Sequence, residues 1–196
     1  MSLTDVEDNV DDATPHTKRV SIFIGVLAVL LAFTSLGGGN TTKDAGLANV
    51  SATNTWSFFQ AKNLRRNEVN LAADNLRVVL ATQLNLTEAG RKAITDKIAE
   101  YEATTKRLTS DPEKGEGLDE LFVKGKALEA TRDAALRKDP YFDWAGALLQ
   151  IAVVLASISL VAGSLLLIRM SAGFALVGTI LLVDGYTLFL PLPFLG

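Results

Sequence analysis

The sequence predicts an all-α membrane protein, with three transmembrane helices and an extramembrane helical hairpin or coiled-coil domain between the first and the second. Two observations carry this. Three apolar stretches, residues 20–36, 144–168 and 172–190, hold no Lys or Arg and a single acid, Asp184. Each is near the length that crosses a ~30 Å hydrocarbon layer as a helix. The segment between the first two, residues 37–143, is as charged as a water-soluble protein, with sixteen Lys and Arg against sixteen Asp and Glu. Its apolar residues recur three and four apart, the helical spacing.

The tail, residues 1–19, carries five acids against Lys18 and Arg19, and this accounts for the whole formal charge of −3. No region has the basic excess of a nucleic-acid binder. The absence of cysteine excludes disulfides, thiolate metal sites and a lipoprotein anchor. His16 is the only histidine, which excludes histidine-based metal sites and catalytic triads. The first apolar stretch reads as an uncleaved anchor: a secretory signal wants a short basic leader and a small-residue cleavage site, and neither is visible here. Gly37, Gly38 and Gly39 read as a flexible exit from this span.

Lys18 and Arg19 precede span one, and Arg169 falls in the expected connector between spans two and three. By the positive-inside rule this places the N-terminus in the cytoplasm, and residues 37–143 and the tail 191–196 on the other side. Arg137 and Lys138, just before span two, argue the other way.

In the charged segment a first helix is expected over about 45–85, with Leu47, Val50, Ala61, Leu64, Leu71 and Val78 on one stripe. Asn54, Ser57, Glu68, Asn75 and Thr82 fill its remaining positions. A second helix, about 87–108, has Ile94, Ile98, Tyr101, Thr105 and Leu108 at a and d heptad positions. Turn residues mark 109–117 as a loop, and a third helix, about 118–138, repeats the spacing with Leu118, Leu121, Gly125, Leu128 and Ala135. Stripes this narrow suit a coiled-coil seam, where polar residues lower stability and set register and partner number. The alternative is that those polar residues simply face water.

Asp139-Pro140 reads as an N-cap and first helical residue opening span two. Tyr141, Phe142 and Trp144 would then lie at headgroup depth. Ala152, Ala156, Ser159 and Gly163 make a smooth face along this span, against which span three, or a second copy, can pack closely. Gln150 reads as an interhelical hydrogen-bonding group. Asp184 is the one ionisable residue inside a span. Such groups are costly and often mark ion paths, but it stands alone, and bonding to Tyr186 or to a hydroxyl of span two would also hold it.

No P-loop, zinc-protease or serine-nucleophile motif is present. The carboxylates of 88–120 alternate with Lys and Arg as on a solvated face. A non-enzymatic protein without cofactor or metal is expected, a self-associating scaffold or accessory subunit of a membrane complex. Its expected partners are lipid and either further copies or other membrane proteins. The alternative is a small transporter or channel component that uses Asp184.

Asn54-Thr55-Trp56-Ser57-Phe58-Phe59-Gln60-Ala61-Lys62 resembles a signature of the bacterial membrane family known as domain of unknown function 4337, and residues 147–157 resemble the start of that family's second span. The resemblance implies a multi-pass protein of the bacterial inner membrane and adds no activity. It draws attention to Asn54, Trp56, Phe58, Phe59, Gln60 and Lys62, either as a docking surface or, for Trp56 and Phe59, as packing against the third helix of the charged segment.

Overall fold

A computed structural model describes residues 15–189; most of the acidic tail, the end of the third expected span at Leu190 and the tail 191–196 lie outside the described residues. The described residues form four helices and no strand: α1 (Pro15–Thr82), α2 (Glu88–Thr109), α3 (Leu118–Ala162) and α4 (Leu165–Thr187). Three of them, α1, α3 and α4, are long and apolar enough to cross a membrane. The contacts divide the described residues into two units, one of residues 15–45 with 133–189 and one of residues 46–132.

The apolar unit is built from the start of α1, the end of α3 and all of α4. Leu27 of α1, Leu149 and Ala152 of α3 and Ala175 of α4 form one buried cluster, with Phe23, Leu30 and Phe174 packed on it. Phe142, Ala145 and Leu182 form a second. Ala152, Ala156 and Ser159 of α3 are fully buried. The Ser171 hydroxyl donates to the Ala152 carbonyl at 2.6 Å, linking α4 to α3. Where apolar helices meet, such close approach and interhelical bonding supply the association energy.

Several local expectations are corrected in this unit. Gly37, Gly38 and Gly39 are not a flexible exit but lie inside α1. A Cβ on Gly37 would stand 2.3 Å from the Phe142 ring, so the glycine makes room for an aromatic side chain. Pro140 does not begin a helix, because α3 already runs from Leu118. The proline removes one backbone hydrogen bond, which the 45-residue helix tolerates. Tyr141 and Phe142 are each only 3% exposed, so of the three aromatics only Trp144 faces outward.

The connector between the last two helices is Gly163-Ser164, not the region of Arg169, which lies inside α4. Gly163 takes a left-handed backbone (φ 62°) that a side chain would strain, and the Ser159 hydroxyl donates to the Ser164 carbonyl at 2.9 Å. Gly163 therefore belongs to the turn and leaves the packing face. Gln150 makes no side-chain hydrogen bond among the described residues. It lines an open groove of about 580 Å³ with Thr42, Asp139 and Asp143, where Thr42 donates to Asp139 at 3.1 Å.

The charged unit pairs the later part of α1 with α2 and with the start of α3. Arg77 bonds to Glu102 at 2.5 Å and the Thr105 hydroxyl to Asn70 at 2.7 Å, which joins α2 to α1. Thr87 caps α2 by accepting from the Gly90 N–H at 3.1 Å, and Glu88 and the pair Lys106 and Arg107 suit its two ends electrostatically. The expected stripes of α2 and α3 are the packed ones: Ile98, Leu108, Leu118, Leu121 and Ala135 are buried. The stripe expected on α1 is not. Leu47, Val50, Leu64, Leu71 and Val78 are 57–70% exposed, and the buried side of α1 runs instead through Ala48, Ala52, Thr55 and Ala73. Ala48, Ala52 and Thr55 follow one another at steps of four and three residues and Ala73 stands eighteen residues on, five helical turns, and these smaller side chains admit the neighbouring helices more closely.

The loop after α2 is held by Glu120, which accepts from the Ser110 hydroxyl at 2.7 Å and the Asp111 N–H at 3.1 Å. These bonds favour the carboxylate and hold its pKa below the ordinary value of 4.5. A carboxyl with a depressed folded pKa stabilises the fold above its unfolded pKa, and that contribution disappears as pH falls through the folded value. Measured against its intrinsic rate, hydrogen exchange of the Asp111 amide is therefore expected to lose protection as pH falls below about 4.5, and Glu120→Gln to accelerate exchange at pH 7. Unchanged exchange in the variant would show that the clamp does not order the loop.

Candidate functional site

The family signature sits on α1 in the charged unit, opposite the start of α3. Trp56 stands edge-on to Phe59 (5.6 Å between centroids) and to Phe122 of α3 (5.7 Å). Its indole N–H donates to Glu129 at 2.9 Å. The ring can lie there because residue 125 is glycine: a Cβ would come within 2.8 Å of the indole. Lys126 bonds to the other Glu129 oxygen at 2.9 Å and lies 5.8 Å from the Trp56 ring centroid. The Lys126 ammonium, with the Trp56 N–H, holds the Glu129 carboxyl below its usual pKa.

Lys62 is tied down as well. Its ammonium donates to the Glu116 backbone carbonyl, lies 3.9 Å from the Glu116 carboxylate and sits 5.1 Å from the Phe58 ring centroid. Trp56, Phe59 and Lys62 thus engage the returning chain, whereas Asn54, Phe58 and Gln60 are exposed. Phe122, Gly125 and Glu129 complete the contact, and sequence reasoning does not single them out as site residues. Gly125 is the available signal, a glycine at a packed position between Leu121 and Leu128.

Asp184 lies in α4 and is 4% exposed. The neighbouring Tyr186 hydroxyl donates to the Phe33 carbonyl of α1 at 3.2 Å. Phe142 packs edge-on to Tyr186 at 5.0 Å and fills space that Cβ atoms on Gly37 and Gly185 would otherwise enter. Of the expected intramembrane polar pair, the acid is enclosed by protein and Gln150 is exposed. Among the described residues no group of three or more His, Asp and Glu is placed to hold a metal ion.

Among the described residues these features define an all-helical fold with three helices long and apolar enough to cross a membrane and a charged helical unit that holds the aromatic contact. The chain belongs to the family described as domain of unknown function (DUF4337), which matches residues 16–188. No curated protein and no solved structure matches it.

Proposed function

We propose that this chain is a non-enzymatic integral membrane protein, a self-associating scaffold or accessory subunit of a membrane complex. It acts through a helical hairpin of coiled-coil character formed by residues 37–143. The membrane is the bacterial inner membrane, with the N-terminus in the cytoplasm and residues 37–143 on the opposite face. The observation that carries this reading is the exposed row of Leu and Val on α1 in the charged unit. A water-facing helix gains from burying such a row, and protein association is the usual means.

The test is the mass of the protein extracted in mild detergent, together with co-purification. An oligomer or heterocomplex is expected, and Asn54→Ala with Phe58→Ala is expected to weaken it; a strictly monomeric particle without partners would remove the proposal. Because the chain has no cysteine, Lys92→Cys gives a single labelling site, expected to react with a membrane-impermeant thiol reagent in intact spheroplasts. Protection until lysis would invert the orientation.

A second reading rests on Asp184, a carboxyl in an apolar helix with 4% exposure, since buried ionisable groups in spans are expensive and often functional. Asp184→Asn separates the two. With a scaffold, assembly and ion permeability of reconstituted vesicles are unchanged; loss of an ion flux with assembly intact would favour a channel or transporter component.

A further inference from the structure

The exposed stripe of α1 has a regular form. From Leu47 through Thr82 every member follows the last by three or four residues in strict alternation, and every member is exposed. In heptad terms Leu47, Asn54, Glu68 and Asn75 occupy a positions, while Val50, Leu64, Leu71 and Val78 occupy d positions. A strict seven-residue repeat sustained this long drives a straight helix to supercoil around a partner. The intrachain contacts of α1 use its other side, so the seam is complete and uncovered.

We infer that the occupant of this seam is the same α1 segment of a second copy, parallel and in register. Area is the first argument. From Leu47 to Val78 the seam is about 47 Å long at 1.5 Å per residue, and with helices about 10 Å apart it covers roughly 500 Å² on each copy. The total, near 1,000 Å², reaches what a specific interface needs. Register is the second. Asn54 and Asn75 stand three heptads apart, so in-register pairing sets each amide opposite its own counterpart. A slip of one heptad would bury Asn54 against Ala61 or Leu47, leaving its polar atoms unmatched, and a buried Asn at an a position is a known register and partner selector. Direction follows from chain order: every copy in one bilayer enters this segment from the same apolar stretch at its N-terminal end.

Glu68 opposes itself in this arrangement, which moderates the affinity and gives the pairing a distinctive signature. The inference rests on the scaffold reading and narrows it to one interface.

Ser57→Cys and Leu71→Cys, each made in the full chain, place a thiol at a d position; Lys92→Cys, on α2, is the control. Mild oxidation in native membranes is expected to give a disulfide-linked dimer with the first two, at a yield at least about fivefold above the control. Ser57→Cys nearly preserves side-chain size, so failure to fold does not confuse the result. Glu68→Gln is expected to tighten association about fivefold, the scale of relieving two like charges a few ångströms apart near water. Equal cross-linking in all three variants overturns the inference, as does unchanged or weaker association of Glu68→Gln, the latter being what a partner helix with a cation at that layer would give. An oligomer of intact mass without stripe cross-links sinks the inference and leaves the scaffold reading standing, while a monomer sinks both.

Discussion

Phe142→Ala is expected to cost the apolar unit about 3 kcal/mol, the low end of the range for buried phenylalanine. The side chain is 3% exposed and joins three helices: Gly37 and Gly38 of α1, Ala145 of its own helix, and Leu182, Gly185 and Tyr186 of α4. Its loss leaves a cavity that the surrounding backbone fills only partly. The measurement is reversible unfolding of the purified protein in mixed detergent micelles. Gly37→Val should destabilise by overpacking, about 1–3 kcal/mol, because its Cβ would fall 2.3 Å from the ring. The two changes should couple: Phe142→Ala opens the space that the introduced valine methyl groups need, so the double variant should lose clearly less than the sum. Strict additivity would show that the ring and the glycine do not determine each other's packing.

In the charged unit the largest effect is expected from Trp56→Ala, again about 3 kcal/mol. The indole makes two edge-on ring contacts and one hydrogen bond to a carboxylate, and truncation removes all of them. Gly125→Ala should cost about 1–3 kcal/mol by pushing a methyl into the indole. The readout is thermal unfolding followed by far-ultraviolet circular dichroism, and for Gly125→Ala also by Trp56 fluorescence once the second tryptophan, Trp144, is replaced by phenylalanine. Acid should act at the same place. Glu129 has a depressed pKa, so its contribution is present above about pH 4.5 and is lost as pH falls through the folded value. Replacing Lys126 with Met should reduce that acid sensitivity, since the Lys126 bond is the main cause of the depression. An acid transition that Lys126→Met leaves untouched would argue that another carboxylate governs it.

The family signature is therefore largely a packing device on one side and an open surface on the other. The sequence offers Trp56 and Phe59 either as a docking surface or as packing against the third helix of the charged segment, and both rings lie beside Phe122 of α3. Their partners Phe122, Gly125 and Glu129 lie more than sixty residues away in sequence, and spacing along one helix cannot identify what faces it. Asp184 is evident as a lone charge in an apolar run, but its near-complete enclosure depends on how α1, α3 and α4 meet.

Helix content, the apolar stretches and the approximate bounds of α2 follow from composition and local spacing alone, because each depends on neighbours within a turn or two. What the tertiary structure decided was continuity and facing. Gly37-Gly38-Gly39 and Pro140 are local breakers, yet α1 and α3 run through them, since a packed Phe142 and long flanking helical runs outweigh a local cost of about 1 kcal/mol per glycine and one missing hydrogen bond at the proline. The two heptad rows of α1 make the same point. Sequence favours the row with the larger Leu and Val residues, whereas the fold buries the Ala and Thr row, because small side chains allow the helix backbones to approach and make room for Trp56 against Gly125. The row left outside is the one a second copy would cover.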